Sequence, residues 1–336
     1  MNKSLDIKID RIRNDSSCQD FIIADAKDGD MGFGVAAPGV NQGDDQARFP
    51  YRTLASYMQS MREITEAGLV DIMLMSASVN EQLTIDERLF DDTPVTPAVR
   101  ANDTTDIWLG MSGDYKHQPS LCFRSATIDH IQAAKINPTD DERQRGANLG
   151  LYSITFNNDA VLDREASEAY KSFRLEAETK GFRHFLEVFA PNATGTREPA
   201  DVGRFVNDSI ARVLAGVTRS ARPLFLKMPY FGPAAMERLV HYEPALIPGI
   251  LGGPAGTTHD AFQMLWEAKK YGARAALFGR KINQAENQLM FVRVLRALAD
   301  GDIEPAEAVR DYHGQLQTAG LNPHRSLEED LVLTQV

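Results

Sequence analysis

The sequence predicts an α/β chain folded as a single (β/α)8 (TIM) barrel with a C-terminal helical extension, and three observations carry that expectation. Short runs of strand-forming residues recur eight times, each followed by a segment with helical periodicity. Several of these runs are apolar at nearly every position, as expected of parallel strands covered on both faces. A chain of 336 residues accommodates one barrel of about 250 residues plus additions. No sequence repeat or low-complexity linker breaks it into an array.

The eight runs are FIIAD (21–25), VDIMLMS (70–76), DIWLGMS (106–112), LYSITF (151–156), HFLEVF (184–189), PLFLKM (223–228), IPGIL (247–251) and RAALF (274–278). Helical segments follow the first strand (LASYMQSMREITEAG), the fourth (DREASEAYKSFRLEAETKG) and the seventh (THDAFQMLWEAKKYG), and each ends in glycine, the usual left-handed stop. In the last, Thr258 is the expected N-cap, ahead of Asp260 and an apolar stripe through Phe262, Leu265 and Trp266. The polar stretch 113–150 reads as a loop excursion with one short helix. Residues 304–320 read as an extra helix and 322–336 as a tail. The expected division is an N-terminal extension over 1–20, the barrel over 21–300, and a C-terminal helix and tail over 301–336.

Composition narrows the function. With 43% hydrophobic and 25% charged residues the chain belongs with ordinary globular proteins. Its 36 Lys+Arg against 47 Asp+Glu leave a net charge of -11, the wrong sign for nucleic-acid binding. An anionic ligand must therefore be held locally. Cys18 and Cys122 are far apart and outside any CxxC pattern, so neither a disulfide framework nor a metal site is expected. No run of about 18 apolar residues could span a bilayer, and the first residues lack an apolar signal segment. These features predict a cytoplasmic protein without membrane or nucleic-acid partners.

In a (β/α)8 barrel, catalytic groups sit at the carboxyl ends of strands. Lys227 lies there, in an apolar run before a proline turn. A buried ammonium must be paired or lose its proton, and a neutral amine can attack a carbonyl to form a Schiff base. A structural ion pair or a snorkelling side chain is the competing reading. Glu187, one βα unit earlier, is a carboxylate among large apolar residues and would approach Lys227 if both point inward, either as an acid/base partner or as a salt bridge. After the first strand, Asp25, Lys27, Asp28 and Asp30 crowd one turn, of which at most two are expected to face the pocket. Gly252 and Gly253 after the seventh strand, and Gly279 with Arg280 after the eighth, fit a phosphate-binding pair of loops, although tight turns alone would also explain the glycines.

The segments FLKMPYFG and ILGGPAGTTHDAFQMLWEAKKYGARAALFGRKINQ resemble the class I Schiff-base aldolases of the deoxyribose-phosphate and tagatose-bisphosphate aldolase superfamily, which includes archaeal-type fructose-bisphosphate aldolases. The resemblance covers about residues 180–300. It implies a metal-independent aldolase without cofactor, acting on a phosphorylated sugar, with Lys227 as imine-forming lysine and Gly252, Gly253, Gly279 and Arg280 on the substrate phosphate. FLEVF resembles the tagatose-bisphosphate branch, in which a fifth-strand glutamate assists the lysine, and this implies that role for Glu187. Phe189 stands near the position where the archaeal branch has a tyrosine. The first-strand aspartate aligns with either Asp25 or Asp28. Two other readings stay open: a catalytically silent sugar-phosphate-binding barrel, and an isomerase with Glu187 as base. A homo-oligomer is expected.

Overall fold

Side-chain alternation along eight parallel strands builds the molecule, whose computed structural model describes residues 2–41, 45–107, 113–193, 199–253 and 256–334. The strands are β1 (Ile22–Ala26), β2 (Ile72–Met75), β3 (Thr96–Arg100), β4 (Leu149–Thr155), β5 (Arg183–Phe189), β6 (Leu226–Lys227), β7 (Gly249–Leu251) and β8 (Ala275–Phe278). Consecutive strands pair from β1 to β6 and from β7 to β8, and β8 pairs with β1. The seam between β6 and β7 is joined by backbone bonds from Leu226 N to Ile247 O (2.9 Å) and from Leu251 N to Met228 O (3.0 Å). The expected (β/α)8 barrel is therefore closed.

Residues of one parity fill its lumen: Ile22 and Ala24, Ile72 and Leu74, Ala98, Leu149 and Leu151, Phe185, Phe225, and Ala275 and Leu277 form a single buried cluster. Their neighbours of opposite parity, among them Ile23, Met73, Val99, Tyr152 and Leu186, pack outward under the helices. Below the lumen the helix Ser4–Asn14 sends Leu5 and Ile9 into the same cluster. Lys8 Nζ on this helix reaches the carbonyl of Phe21 (3.0 Å), just ahead of β1, and Arg13 reaches that of Leu224 (3.1 Å), two residues ahead of β6. The segment expected as an extension thus plugs the N-terminal end of the barrel.

The third strand departs from expectation. It is TPAVR at 96–100, whereas Asp106 and Ile107 are helical and 108–112 lie outside the described residues. Pro97 disguises the strand, because proline cannot donate to a ladder. Thr96 N bonds back to Asp71 O beside β2, so Pro97, on the alternate position, turns toward β4. Pairing with β4 begins only at Val99 and Arg100, so the missing N–H is never required. A smaller correction concerns the helix Thr258–Lys270, whose N-cap is Thr257. The Thr257 hydroxyl accepts the Asp260 N–H while the Asp260 carboxylate accepts the Thr257 N–H (2.8 Å), a reciprocal box that needs this spacing.

Residues 113–150 contain the short helix Ile128–Ala133 together with a two-residue strand, Cys122–Phe123, paired antiparallel with Asp103–Thr104. The extra helix spans Pro305–Thr318. The tail packs back onto the barrel: Asp330 accepts from Thr258 N (2.7 Å) and Val332 O from Thr257 Oγ1 (2.7 Å). No helix among the described residues is long and apolar enough to cross a membrane.

Because Leu5 is fully buried against the lumen, Leu5→Ala should destabilise the fold by about 2–5 kcal/mol, the usual cost of removing a buried leucine. Urea denaturation followed by circular dichroism measures it. A loss below about 1 kcal/mol would show that the helix is not a plug.

Candidate active site

The inward parity that fills the lumen with apolar side chains continues upward into polar ones. Arg100, Ser153, Glu187 and Lys227 each stand two residues beyond an inward apolar residue, namely Ala98, Leu151, Phe185 and Phe225. They therefore point into the carboxyl end of the barrel. Glu187 is the register partner of both Ser153 and Lys227, so adjacent strands deliver these side chains to one level.

The geometry is a chain of alternating charge. Lys227 Nζ lies 2.6 Å from Glu187 Oε1. The other carboxylate oxygen of Glu187 accepts a short hydrogen bond from Ser153 Oγ and lies 3.4 Å from Arg100 Nη2. Arg100 also donates to Ser153 Oγ (3.1 Å) and, through Nε, to Asp28 Oδ2 (2.6 Å). Lys227 is 7% exposed and Glu187 1%, so the lysine is the member of the pair that meets solvent. Burial by itself would lower the pKa of Arg100, but the carboxylates of Asp28 and Glu187 outweigh it and raise the value, fixing the guanidinium as a cation. Asn102 holds Ser153 in place, accepting from its N–H (2.6 Å) and donating to its carbonyl (2.8 Å).

The structure separates the two first-strand aspartates. Asp28, just past β1, joins the cluster through Arg100. Asp25 shares the parity of Phe21 and Ile23, which pack outward, and is ion-paired with Lys27 at 2.9 Å. Burial raises the pKa of Asp25 and lowers that of Lys27, each opposed by its partner. No hydrogen bond or ion pair joins Asp25 to Arg100, Glu187 or Lys227 among the described residues. Asp30 accepts from Ser76 Oγ (2.5 Å). All four charged groups of this turn are thus engaged by side chains, and only Asp28 reaches the Lys227 cluster, within the limit of two expected to face the pocket.

Gly252 and Gly253 follow β7, and Gly253 adopts φ +66°, a left-handed conformation suited to glycine. Gly279 follows β8, where a Cβ would lie 2.7 Å from Ala26 O. Both loops therefore have a steric need for glycine independent of any ligand, and 254–255 lie outside the described residues. Arg280 opens the short helix Arg280–Gln284. Its side chain is exposed and has no carboxylate partner among the described residues; partial burial of the guanidinium lowers its pKa, with Tyr115 opposing. Tyr115 belongs to the segment after β3, which is tied down by Asn192 donating to Tyr115 O (2.7 Å) and Gln118 O (2.8 Å) and by Asn157 donating to Ser120 O (2.9 Å). Asn192 follows β5 and Asn157 follows β4, so this segment crosses the mouth of the barrel. Cys122, beside Ser153 O at 3.4 Å, has its thiol pushed up to about 11, mainly by burial, and stays protonated. Among the described residues no group of three or more His, Cys, Asp or Glu side chains could hold a metal ion.

Sequence reading missed Arg100, Ser153 and Asn102. An arginine closing a strand would have flagged Arg100, but its strand was hidden by Pro97. Ser153 carries no signal of its own, because serine within a strand is unremarkable until a carboxylate is placed beside it.

No protein-family model matches the chain, and no curated protein matches it by sequence. Solved structures do. One is a Schiff-base-forming fructose-1,6-bisphosphate aldolase, 16% identical, with 88% of this chain and all of that one covered at a TM-score of 0.60. Another is an archaeal fructose-1,6-bisphosphate aldolase with its catalytic lysine bound to a carbinolamine intermediate, 17% identical over 89% of this chain and all of that one, TM-score 0.59. A Corynebacterium glutamicum protein is 16% identical over 89% of this chain and 94% of its own, TM-score 0.56. These likenesses establish the (β/α)8 fold and its similarity to that of archaeal-type class I aldolases.

Arg100→Met should destabilise the protein by about 3–5 kcal/mol, since it strands the buried carboxylate of Asp28 and leaves Glu187 with Lys227 as its only cation. Denaturant melts measure it, and a loss below about 1 kcal/mol would show that Arg100 is not what holds the buried charges together.

Proposed function

We propose that the protein is a class I aldolase, a metal-independent lyase that cleaves or forms a ketose phosphate through an imine on Lys227. The observation that carries this reading is the 2.6 Å contact between Lys227 Nζ and Glu187 Oε1 at the carboxyl end of the barrel. Imine formation needs an unprotonated amine, and a carboxylate at that distance can take the ammonium proton. The amine then adds to the substrate carbonyl, and the carbinolamine hydroxyl leaves as water with the proton returned by Glu187. Deprotonation of the hydroxyl on the far carbon breaks the carbon–carbon bond and sends its electron pair into the protonated imine, releasing an aldehyde. The enamine that remains takes a proton on carbon, and water hydrolyses the imine to return ketone and Lys227.

Ser153 and Arg100 position Glu187 for both transfers by holding its second oxygen. Phe189 has no exchangeable proton, which favours Glu187 over a tyrosine-based relay. Arg280, an exposed cation without a carboxylate partner among the described residues, is assigned to the substrate phosphate together with Gly252, Gly253 and Gly279. The same reading places the protein in the cytoplasm, where phosphorylated sugars are retained, as a homo-oligomer. Exposed Val35, Val40, Phe49 and Leu54 after β1 offer apolar surface for subunit contact.

Borohydride reduction in the presence of dihydroxyacetone phosphate should leave a covalent adduct on the peptide carrying Lys227, detected by mass spectrometry and lost in Lys227→Ala. Turnover retained in Lys227→Ala would sink the mechanism, and tight sugar-phosphate binding with neither adduct nor turnover would identify a silent binding barrel.

Arg280→Ala should raise KM for phosphorylated substrates by about 10- to 150-fold, equivalent to the 1.5–3 kcal/mol of a charge-assisted hydrogen bond, with little change in kcat. Unphosphorylated analogues should be nearly indifferent. Equal losses for both kinds of substrate would make Arg280 structural.

A further inference from the structure

The opposite end of the barrel carries a cleft that the proposed chemistry does not use. Two adjoining cavities of about 450 Å³ and 360 Å³ share Arg13, Arg219, Arg222 and Leu224 as walls. Arg174 and Arg183 line the second. Arg13 ends the plug helix, Arg174 is in the helix before β5, and Arg219 and Arg222 lie in the turn before β6, so the cleft opens on the N-terminal face.

Two of these arginines are neutralised, Arg222 by Glu243 and Arg183 by Asp6 (2.5 Å). The other three have no carboxylate partner among the described residues. Arg13 donates only to a carbonyl. Arg174 lies over the Tyr170 ring at 5.1 Å, with its buried Nε lacking any hydrogen-bond partner. Arg219 is exposed. Against them stands one carboxylate without an ion-pair partner, that of Glu178, and His184 in the same wall is held neutral, its pKa lowered to about 3 chiefly by burial and further by Arg174. In a chain of net charge -11, three unneutralised guanidinium groups on one cleft repel one another and return no ion-pair stability to the fold. Their forked donors match phosphate oxygens. The larger cavity adds an apolar wall from Pro223, Leu224 and Leu246, and its volume suits a small organic ligand.

We propose that this cleft binds a nucleoside phosphate, with the phosphates on Arg13, Arg174 and Arg219 and the base against the apolar wall. The site is separate from the barrel mouth and does not depend on the aldolase reading. Isothermal titration of the full chain with ADP, in parallel with adenosine, tests it. ADP should bind, more weakly as salt is raised, and adenosine should bind at least about tenfold more weakly than ADP. The double variant R13Q/R219Q, which leaves both existing ion pairs in place, should weaken ADP binding by about tenfold or more while circular dichroism shows an unchanged fold. Arg280→Ala should leave ADP binding intact. Absence of ADP binding, binding undiminished in R13Q/R219Q, or binding lost in Arg280→Ala, which would move the nucleotide to the barrel mouth, each overturns the proposal.

Discussion

The guanidinium of Arg100, set between the carboxylates of Asp28 and Glu187, is the interaction on which the upper part of the barrel depends. Two carboxylates and an ammonium are buried there within a few ångströms. Removing such ions from water costs several kcal/mol each, and only close opposite charges and hydrogen bonds offset that. The order Asp28, Arg100, Glu187, Lys227 gives each interior charge an opposite neighbour on every side where it has one. Ser153 fills the remaining acceptor position on Glu187, and Asn102 holds Ser153 by its backbone. The lysine at the end of this series is thereby kept inside the barrel, beside a carboxylate able to exchange its proton.

The barrel separates its labour along its axis. Below, the lumen is packed with Ile22, Leu74, Leu151, Phe185 and Phe225 and stoppered by Leu5, with Phe185 and Phe225 stacked at a ring separation of 4.6 Å. Above, the same inward positions become Arg100, Ser153, Glu187 and Lys227. The dry packing beneath gives the charged layer a rigid floor and keeps water from one side of it, which strengthens the interactions among its charges. Charged groups on strands, rather than on loops, are held by the sheet register itself. The segment after β3, anchored through Asn157 and Asn192, covers the opposite side.

Seven of the barrel strands were legible because parallel strands sheathed by helices must be apolar on both faces, and such runs stand out. The third was not, since TPAVR reads as a turn until its neighbours are known. Pro97 is tolerated only because pairing with β4 starts beyond it, a fact of register that no local pattern encodes. The error had a price for the site: placing the strand at 106–112 hid Arg100. The one-residue shift of the N-cap from Thr258 to Thr257 is of a different kind, because two adjacent threonines offer the same chemistry and only the bond to Asp260 distinguishes them.

By itself the sequence determined the class of fold, the strand-end positions of Lys227 and Glu187, and the glycine-bearing loops with Arg280, because periodicity and the rarity of charge inside apolar runs are local properties. Tertiary structure alone decided which charges meet. Asp25 and Asp28 are three residues apart and equal in the sequence, yet strand parity turns Asp25 outward to Lys27 while the turn after β1 carries Asp28 inward to Arg100. Likewise, Ser153 and Arg100 acquire their bonds to Glu187 from the stagger between β3, β4 and β5. The arginines of the lower face come from the plug helix, the helix before β5 and the turn before β6, and become one cleft only when the barrel closes. Contacts of this kind span tens to hundreds of residues, and chain closure, not local propensity, selects them.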